Sequence, residues 1–326
     1  MKTIGITVFG CEPDEAAAFK ELSPHLGALP AIVTHSVSAC VSIDSIDSIP
    51  ATGNRCISVD HKSSLSKAGL QALRATGVRY ISTRSIGTDH IDIPAAQQMG
   101  ITVGNAVYSP DGVADYTLML LLMALRNAKS IVTDAGQLDF RLPATRSPDL
   151  ADMTVGVVGT GRIGRAVIRR LQGFGCRIIT YSRSQKSGCA SLPELLAKSD
   201  IVTLHTPLND HTSHLLGHRE LLLMKPGSLL INTGRGGLVD TAALLLVLEA
   251  GHLGGAALDV IEGEEGIFYS EASPDALSHP FLRRLQAMPN VIITPHTAFY
   301  TRRALYDTVR HTIKNCLEFE RSTFHG

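Results

Sequence analysis

Apolar and polar positions alternate between two rhythms almost from end to end of the chain. Short β-rich runs occur at Ile4–Phe9, Ile32–Thr34, Cys56–Val59, Tyr80–Ser82 and Ile101–Val103. Between them, Glu12–Leu22 and Ser66–Ala75 read as helices. This strand–helix–strand rhythm predicts a parallel sheet with helices on both faces.

The stretch at 137–150 (QLDFRLPATRSPDL) is polar, holds two prolines and reads as a loop. A second, cleaner series begins at Thr154–Val158 and continues with strands at Arg177–Tyr181, Ile201–Leu204, Ser228–Asn232, Ala256–Val260 and Val291–Thr294. Helices fit between them at Ile163–Phe174, Leu192–Ala197, Arg219–Leu223 and Thr241–Ala250. The fold class expected is therefore α/β, with two doubly wound parallel-sheet (Rossmann-like) domains. The last helix, Arg302–Glu320, follows the second series; packed back on the first domain, it makes that domain discontinuous. The expected division is 1–102 with 300–326 for a substrate-binding domain and 103–299 for a dinucleotide-binding domain.

Asp111–Asn127 (DGVADYTLMLLLMALRN) reads as one strongly apolar helix. A helix with so few polar positions needs cover on most of its surface. Burial between domains or between subunits would supply it, and subunit burial is the reading adopted, so a homodimer is expected.

Composition narrows the choice of partners. The chain has 326 residues, enough for two cores. Its formal net charge is zero, so no long-range positive field draws it to nucleic acid. The N-terminus MKTIGITVFG reads as a strand and not as a signal peptide. The longest apolar stretch, Tyr116–Leu125, is about ten residues, where a bilayer span needs roughly 20. A cytoplasmic protein without membrane contact is the expectation. The six cysteines (Cys11, Cys40, Cys56, Cys176, Cys189 and Cys316) are scattered and form no C-x-x-C pair, so they read as reduced thiols. Neither they nor the 13 histidines have metal-ligand spacing, and no metal is expected.

The strongest local motif is Gly159-Thr160-Gly161-Arg162-Ile163-Gly164, which follows a strand and opens a helix. In that context Gly159 permits the tight turn, Gly161 lets backbone approach a pyrophosphate, and Gly164 lets helix and strand pack closely. The helix N-terminus then offers free N–H groups to the phosphates. About 20 residues on, an acidic residue would select NAD by binding the ribose hydroxyls. The sequence instead reads Ser182-Arg183-Ser184, two hydroxyl donors and a cation that suit a 2′-phosphate. NADPH is the expected cofactor, with NADH accepted as well.

Three further segments end successive strands: 230–236 with Arg235, 258–264 with Glu264, and 294–298 with His296. In a doubly wound sheet such strand ends share one crevice edge. Reduction of a 2-keto acid needs a grip on carboxylate and carbonyl, and a proton for the forming alkoxide. Arg235 offers the fork for the first. His296 offers an acid that titrates near neutrality, and Glu264 a carboxylate to orient it and favour its charged form.

INTGRGGLVD at 231–240, ALDVIEGEE at 257–265, TPHTAFYT at 294–301 and TVGVVGTGRIG at 154–164 resemble the D-2-hydroxyacid dehydrogenase family over essentially the whole chain. GITVFGCEPDEAAAF, ISTRSIGTDHID and VYSPDGVADYT look most similar to D-lactate dehydrogenases of the vancomycin-resistance (VanH) type. The resemblance implies that Arg235 binds substrate and that His296, paired with Glu264, is the acid in reduction and base in oxidation. It places Asp259 near the nicotinamide, and Thr206, Pro207, Thr233 and Gly234 along the cofactor groove. It gives the Ser85-Ile86-Gly87 turn to the substrate carboxylate and sets Tyr108, Phe299 and Tyr300 around the substrate. Phe299 beside His296 favours a small keto acid, hence pyruvate as substrate and D-lactate as product; the resemblance alone implies that the D-lactate serves D-alanyl-D-lactate synthesis. The alternatives are hydroxyisocaproate-type specificity for larger keto acids, or a non-catalytic nucleotide-sensing scaffold of the corepressor kind.

Overall fold

The computed structural model describes residues 5–24, 31–34, 53–62, 64–183, 188–269, 271 and 279–324. Ile4, Cys40 and Ser184, named above, lie outside them. The chain divides into two compact units, Met1–Ser109 with Tyr300–Gly326, and Pro110–Phe299.

The first unit contains β1 (Gly5–Val8), α1 (Pro13–Leu22), β2 (Ala31–Thr34), β3 (Cys56–Val59), α2 (Lys67–Ala75), β4 (Tyr80–Thr83), α3 (Ile93–Gln98) and β5 (Thr102–Asn105). Its strands run parallel in the order β2-β1-β3-β4-β5. Alternate residues feed two cores, as the pleat requires. Ile57, Val59 and Ile81 pack with Leu70, Leu73, Ala95 and Ala96 on one face. Ile6, Val8, Cys56 and Tyr80 pack on the other with Ala18, Phe19 and the residues Val309, Ile313, Cys316 and Leu317. Those last four belong to the long C-terminal helix Arg302–Phe324, which therefore completes the first unit. The division placed at 102/103 from the sequence falls inside β5. Because β5 pairs with β4 from Tyr80↔Thr102 to Thr83↔Asn105, the first unit extends to Ser109.

The second unit opens with α4 (Asp111–Leu125) and α5 (Ala128–Gly136). It continues through β6 (Thr154–Val158), α6 (Arg162–Gln172), β7 (Arg177–Tyr181), α7 (Leu192–Lys198), β8 (Ile201–Leu204), α8 (His218–Leu223) and β9 (Leu229–Asn232). It ends with α9 (Thr241–Glu249), β10 (Gly255–Leu258), α10 (Leu282–Ala287) and β11 (Val291–Ile293). The parallel sheet has the order β11-β10-β9-β8-β6-β7, so strand order reverses at β6. Connections leave β6 toward one side and β8 toward the other, which opens a crevice at their C-terminal ends. The strands β8, β9 and β10 are buried along their whole length, as strands covered on both faces must be.

The apolar helix α4 has a simpler explanation than the one drawn from its sequence. Ala114, Leu118, Leu120, Leu121 and Leu125 pack onto Val155, Val157, Ile231 and Ala257 of its own sheet and onto Ala166, Val167 and Leu171 of α6. Sheet and helix together cover this face and account for much of its apolar composition, while Met119 remains exposed. It also stops earlier than read, because Asn127 takes a left-handed conformation (φ 52°) that breaks the helix before α5. The short helices α3, α5 and α10 had no clear apolar period to announce them; α5 buries no residue at all.

Leu121 is fully buried in this contact. Leu121→Ala is expected to lower unfolding stability by roughly 2–5 kcal/mol, measured by urea denaturation of the purified protein. A loss below about 1 kcal/mol would show that α4 is not held as described.

Candidate active site

The C-terminal ends of β9, β10 and β11 stand side by side, with Asn232 opposite Leu258 and Leu258 opposite Ile293. The loops that follow carry Arg235, Glu264 and His296. Each is fixed by contacts that the motifs alone did not reveal.

Asn232, the polar end of the apolar run LLIN, is 1% exposed. Its amide nitrogen donates to the Arg235 carbonyl (2.9 Å), and its amide oxygen accepts from Gly234 N–H (3.0 Å). Thr117 of α4 donates to the Val113 carbonyl (2.7 Å), and its hydroxyl lies 2.8 Å from that of Thr233. The Arg235 guanidinium donates to the Gly234 carbonyl (2.9 Å) and is half-buried. Gly236 presses on the next loop so closely that a Cβ there would lie 2.0 Å from the Ile261 carbonyl carbon. Only glycine fits, and the contact locks the Arg235 loop onto the Glu264 loop.

His296 adopts a left-handed backbone (φ 50°), uncommon for a residue with a side chain. Asp259, fully buried, builds the turn that imposes it. Its carboxylate accepts from Thr294 Oγ1 (2.6 Å), Thr297 N–H (2.9 Å) and Ala298 N–H (2.8 Å), and its carbonyl accepts from His296 N–H (2.8 Å). Burial pushes the Asp259 carboxyl up from its ordinary range, against the opposing pull of these donors and of His296. Tyr116 of α4 holds the same turn, its hydroxyl 2.9 Å from Thr297 Oγ1. Glu264 Oε1 lies 2.6 Å from His296 Nδ1, and Glu264 Oε2 accepts from Ile261 N–H (2.8 Å). The imidazole thus turns Nδ1 to a carboxylate and Nε2 to the opposite edge of the ring. Phe299 stands edge-on to it at 5.9 Å.

On the other side of the sheet reversal, Gly159 has φ 101°, and a Cβ there would sit 2.5 Å from the His205 carbonyl oxygen. Gly164 lies so close to the Gly159 carbonyl that a Cβ would clash at 1.9 Å, whereas Gly161 faces open space. Arg162 and Ile163 open α6 directly after that space. Beside the turn, His205 Nδ1 and Thr206 Oγ1 are buried with no hydrogen-bond partner. Burial drives the His205 imidazole down to about 3, so it is neutral. An open glycine, a helix N-terminus and an unpaired hydroxyl together fit a dinucleotide pyrophosphate. Pro207 is exposed just beyond, and Ser182 and Arg183 close β7, the first half-buried and the second exposed.

Ser85, Ile86, Gly87, Tyr108 and Tyr300 belong to the first unit. There, Arg84 is 5% exposed and anchors the turn that follows it. It donates to Glu15 Oε1 (2.9 Å), Ser58 Oγ (3.0 Å) and the carbonyls of Phe9 (2.8 Å) and Gly10 (2.7 Å). Ser85 Oγ donates to the Gly87 carbonyl (2.6 Å), and Asn105 to the Ile86 carbonyl (2.8 Å). Asn232, Tyr116, Thr117, Thr297 and His205 were not among the residues read from sequence. Asn232 alone had a visible signal, a polar residue closing an apolar strand.

The model of the D-isomer specific 2-hydroxyacid dehydrogenase NAD binding domain matches residues 118–298. The chain belongs to this family. It is similar to the D-specific alpha-keto acid dehydrogenase of Enterococcus faecium, 58% identical over 327 residues and all of both chains. Among solved structures it is similar to D-lactate dehydrogenase from Aquifex aeolicus complexed with NAD and lactic acid (TM-score 0.82, 30% identity, 98% of this chain and 96% of that one). It is also similar to D-2-hydroxyisocaproate dehydrogenase (TM-score 0.83, 29% identity, 98% of both chains). The protein is therefore an enzyme of the D-2-hydroxyacid dehydrogenase type, with a Rossmann-like fold. It uses a nicotinamide cofactor and acts on a small 2-hydroxy or 2-keto acid. None of its described helices is long and apolar enough to cross a membrane.

A second His–carboxylate pair braces the site from outside. His214 Nε2 lies 2.6 Å from Glu262 Oε1, joining the loop after β8 to the Glu264 loop. This hydrogen bond raises His214 above its ordinary 6.5. A raised histidine contributes stability that is full below its unfolded value and is lost as pH rises through the folded one. The melting temperature lost in His214→Gln is thus expected to be larger at pH 6 than at pH 9. Equal losses at both would show that the pair contributes nothing through charge.

Proposed function

We propose that the protein reduces pyruvate to D-lactate, with NADPH preferred and NADH accepted. The observation that carries this reading is the 2.6 Å contact between Glu264 and His296, at the strand end beside that of the Arg235 loop. When bound, the nicotinamide cofactor supplies a hydride. Gly159, Gly161, Arg162, Ile163, Gly164, Thr206, Pro207, Thr233, Gly234 and Asp259 line its groove. Arg235 binds the keto-acid carboxylate and polarises the carbonyl with its planar fork. His296 holds a proton at Nε2 and delivers it to the carbonyl oxygen as charge develops there. Glu264 at Nδ1 fixes the plane of the imidazole and turns Nε2 away from itself. In the reverse direction the neutral ring takes the proton back.

For the first unit, the Ser85-Ile86-Gly87 turn, Tyr108 and Tyr300 take a share in holding the substrate. Phe299, edge-on to His296, limits the room for the substrate side chain and supports pyruvate. The likeness to D-2-hydroxyisocaproate dehydrogenase supports a second reading, in which branched keto acids are the better substrates. Ser182, Arg183 and Ser184, in place of a carboxylate, support NADPH through their fit to a 2′-phosphate. We assign the enzyme to the cytoplasm, where D-lactate would enter D-alanyl-D-lactate cell-wall precursors and confer vancomycin resistance. The motif resemblance supports that role.

Steady-state rates with pyruvate, 2-ketobutyrate and 4-methyl-2-oxopentanoate, each with NADH and NADPH, test the reading. The highest kcat/KM is expected for pyruvate with NADPH, and Arg183→Ala should erode the preference for NADPH. His296→Gln should lower kcat by about 100-fold or more, and Arg235→Gln should raise KM as well. Wild-type turnover by His296→Gln, or a clear preference for NADH unchanged in Arg183→Ala, would refute the corresponding assignment.

The homodimer is also a proposal, but on a surface other than α4. Ile131 and Val132 on α5, and Leu138, Phe140 and Leu142 beyond it, are exposed, Val132 at 70% and Leu142 at 93%. Five exposed large apolar side chains within one short stretch of chain support an interaction surface there. Light scattering should give twice the chain mass for the wild type and the single chain mass for Val132→Asp/Leu142→Asp. A monomeric wild type, or a variant that stays dimeric, would overturn it.

A further inference from the structure

We infer that Tyr269 is a positioning residue for His296. The loop from Ile261 to Tyr269 turns through Gly263 and Gly266, both at φ 75°. Ile267 and Phe268 N–H donate to the Glu264 carbonyl (3.0 and 3.1 Å), and the Phe268 ring is buried in the core. Those contacts account for the loop as far as Phe268. They do not account for the next residue.

Tyr269 takes φ 67°, a left-handed conformation disfavoured for a residue with a side chain. A bulky aromatic persists there only when its surroundings hold it. The contact that the conformation makes possible is with His296. The Tyr269 hydroxyl donates to the His296 carbonyl (2.8 Å), with the two rings 6.2 Å apart and tilted by 32°. Two left-handed residues on separate loops are thus joined by one hydrogen bond.

The result is a grip on His296 at both ends by a single loop. Glu264 holds the imidazole at Nδ1, and Tyr269 holds the peptide carbonyl. The peptide N–H is held independently by the Asp259 carbonyl. A His296 peptide freed at its carbonyl would let the ring tilt relative to Glu264. Substrate binding by Arg235, on another loop, would be spared. Tyr269 therefore acts on proton delivery through its hold on the His296 backbone.

The inference rests on His296 being the proton donor, and the experiment separates the two. Tyr269→Phe keeps the ring and removes the hydroxyl. Its kcat for keto-acid reduction is expected to fall about tenfold with KM within about twofold, and the solvent deuterium isotope effect on kcat is expected to rise. Tyr269→Asn tolerates the left-handed backbone but is too short to reach His296, so it should show the same loss. If the hydroxyl acts through the Glu264–His296 pair, the double variant Tyr269→Phe/Glu264→Gln will be no slower than Glu264→Gln alone. Tyr269→Phe with unchanged kcat and isotope effect, beside an inactive His296→Gln, would overturn the role of Tyr269 alone. Multiplicative losses in the double variant would also overturn it. A fully active His296→Gln would instead remove the proton-donor reading on which it rests.

Discussion

Asp259 places a carboxylate where no water reaches it, and the geometry of the site follows from how that carboxylate is satisfied. A buried ionisable group left without donors costs several kcal/mol. Here three donors within five residues, Thr294, Thr297 and Ala298, wrap around it. To deliver all three, the chain must turn tightly after β11, and His296 lies between the donors in a left-handed conformation. The unusual backbone at His296 is therefore a consequence of satisfying a charge one strand away. It places the imidazole in reach of Glu264.

The same economy of contacts ties the three loops together. Gly236 lies against Ile261 with no room for a side chain, so the Arg235 and Glu264 loops cannot shift independently. Helix α4 reaches the His296 and Arg235 loops through consecutive residues, Tyr116 to Thr297 and Thr117 to Thr233. Its apolar face packs on its own sheet and α6, which makes it a rigid bar rather than a mobile arm. Hydroxyls on a rigid element aligning loops from two strands are the kind of support that a reacting constellation needs.

Much of this was legible in the sequence, and the part that was not has a physical reason. The glycines at 159, 161 and 164 announce a phosphate turn because their spacing follows from backbone approach, which is local. Arg235, Glu264 and His296 could be gathered because successive parallel strands deliver their C-terminal ends to one edge. Thr117, Tyr116 and Tyr269 act across distances in sequence that no local period encodes. A threonine in an apolar helix looks like a tolerated small residue until its partner, Thr233, is seen. The reading of α4 meets the same limit. Apolarity all round says that a helix is covered, but not by what. The first boundary slipped because TVGN at 102–105 is only partly buried and reads as the end of a strand rather than as a full edge strand.

The two carboxylates beside His296 divide their work by what already occupies their lone pairs. Asp259 is committed to a side-chain hydroxyl and two backbone N–H groups and is sealed from solvent, so it does not compete for the imidazole. Glu264 uses one oxygen on the Ile261 N–H and keeps the other for His296 Nδ1. It is also partly exposed, at 16% of its side chain, so water shares its solvation. A carboxylate so placed can strengthen its hold as the ring becomes charged and relax when the proton leaves. Exchanging the environments of the two groups would defeat both. A sealed partner would have its lone pairs taken up before the ring could meet them, and a wet one could not define the turn. The proton transfer proposed for His296 thus rests on one carboxylate building the backbone and the other meeting the ring.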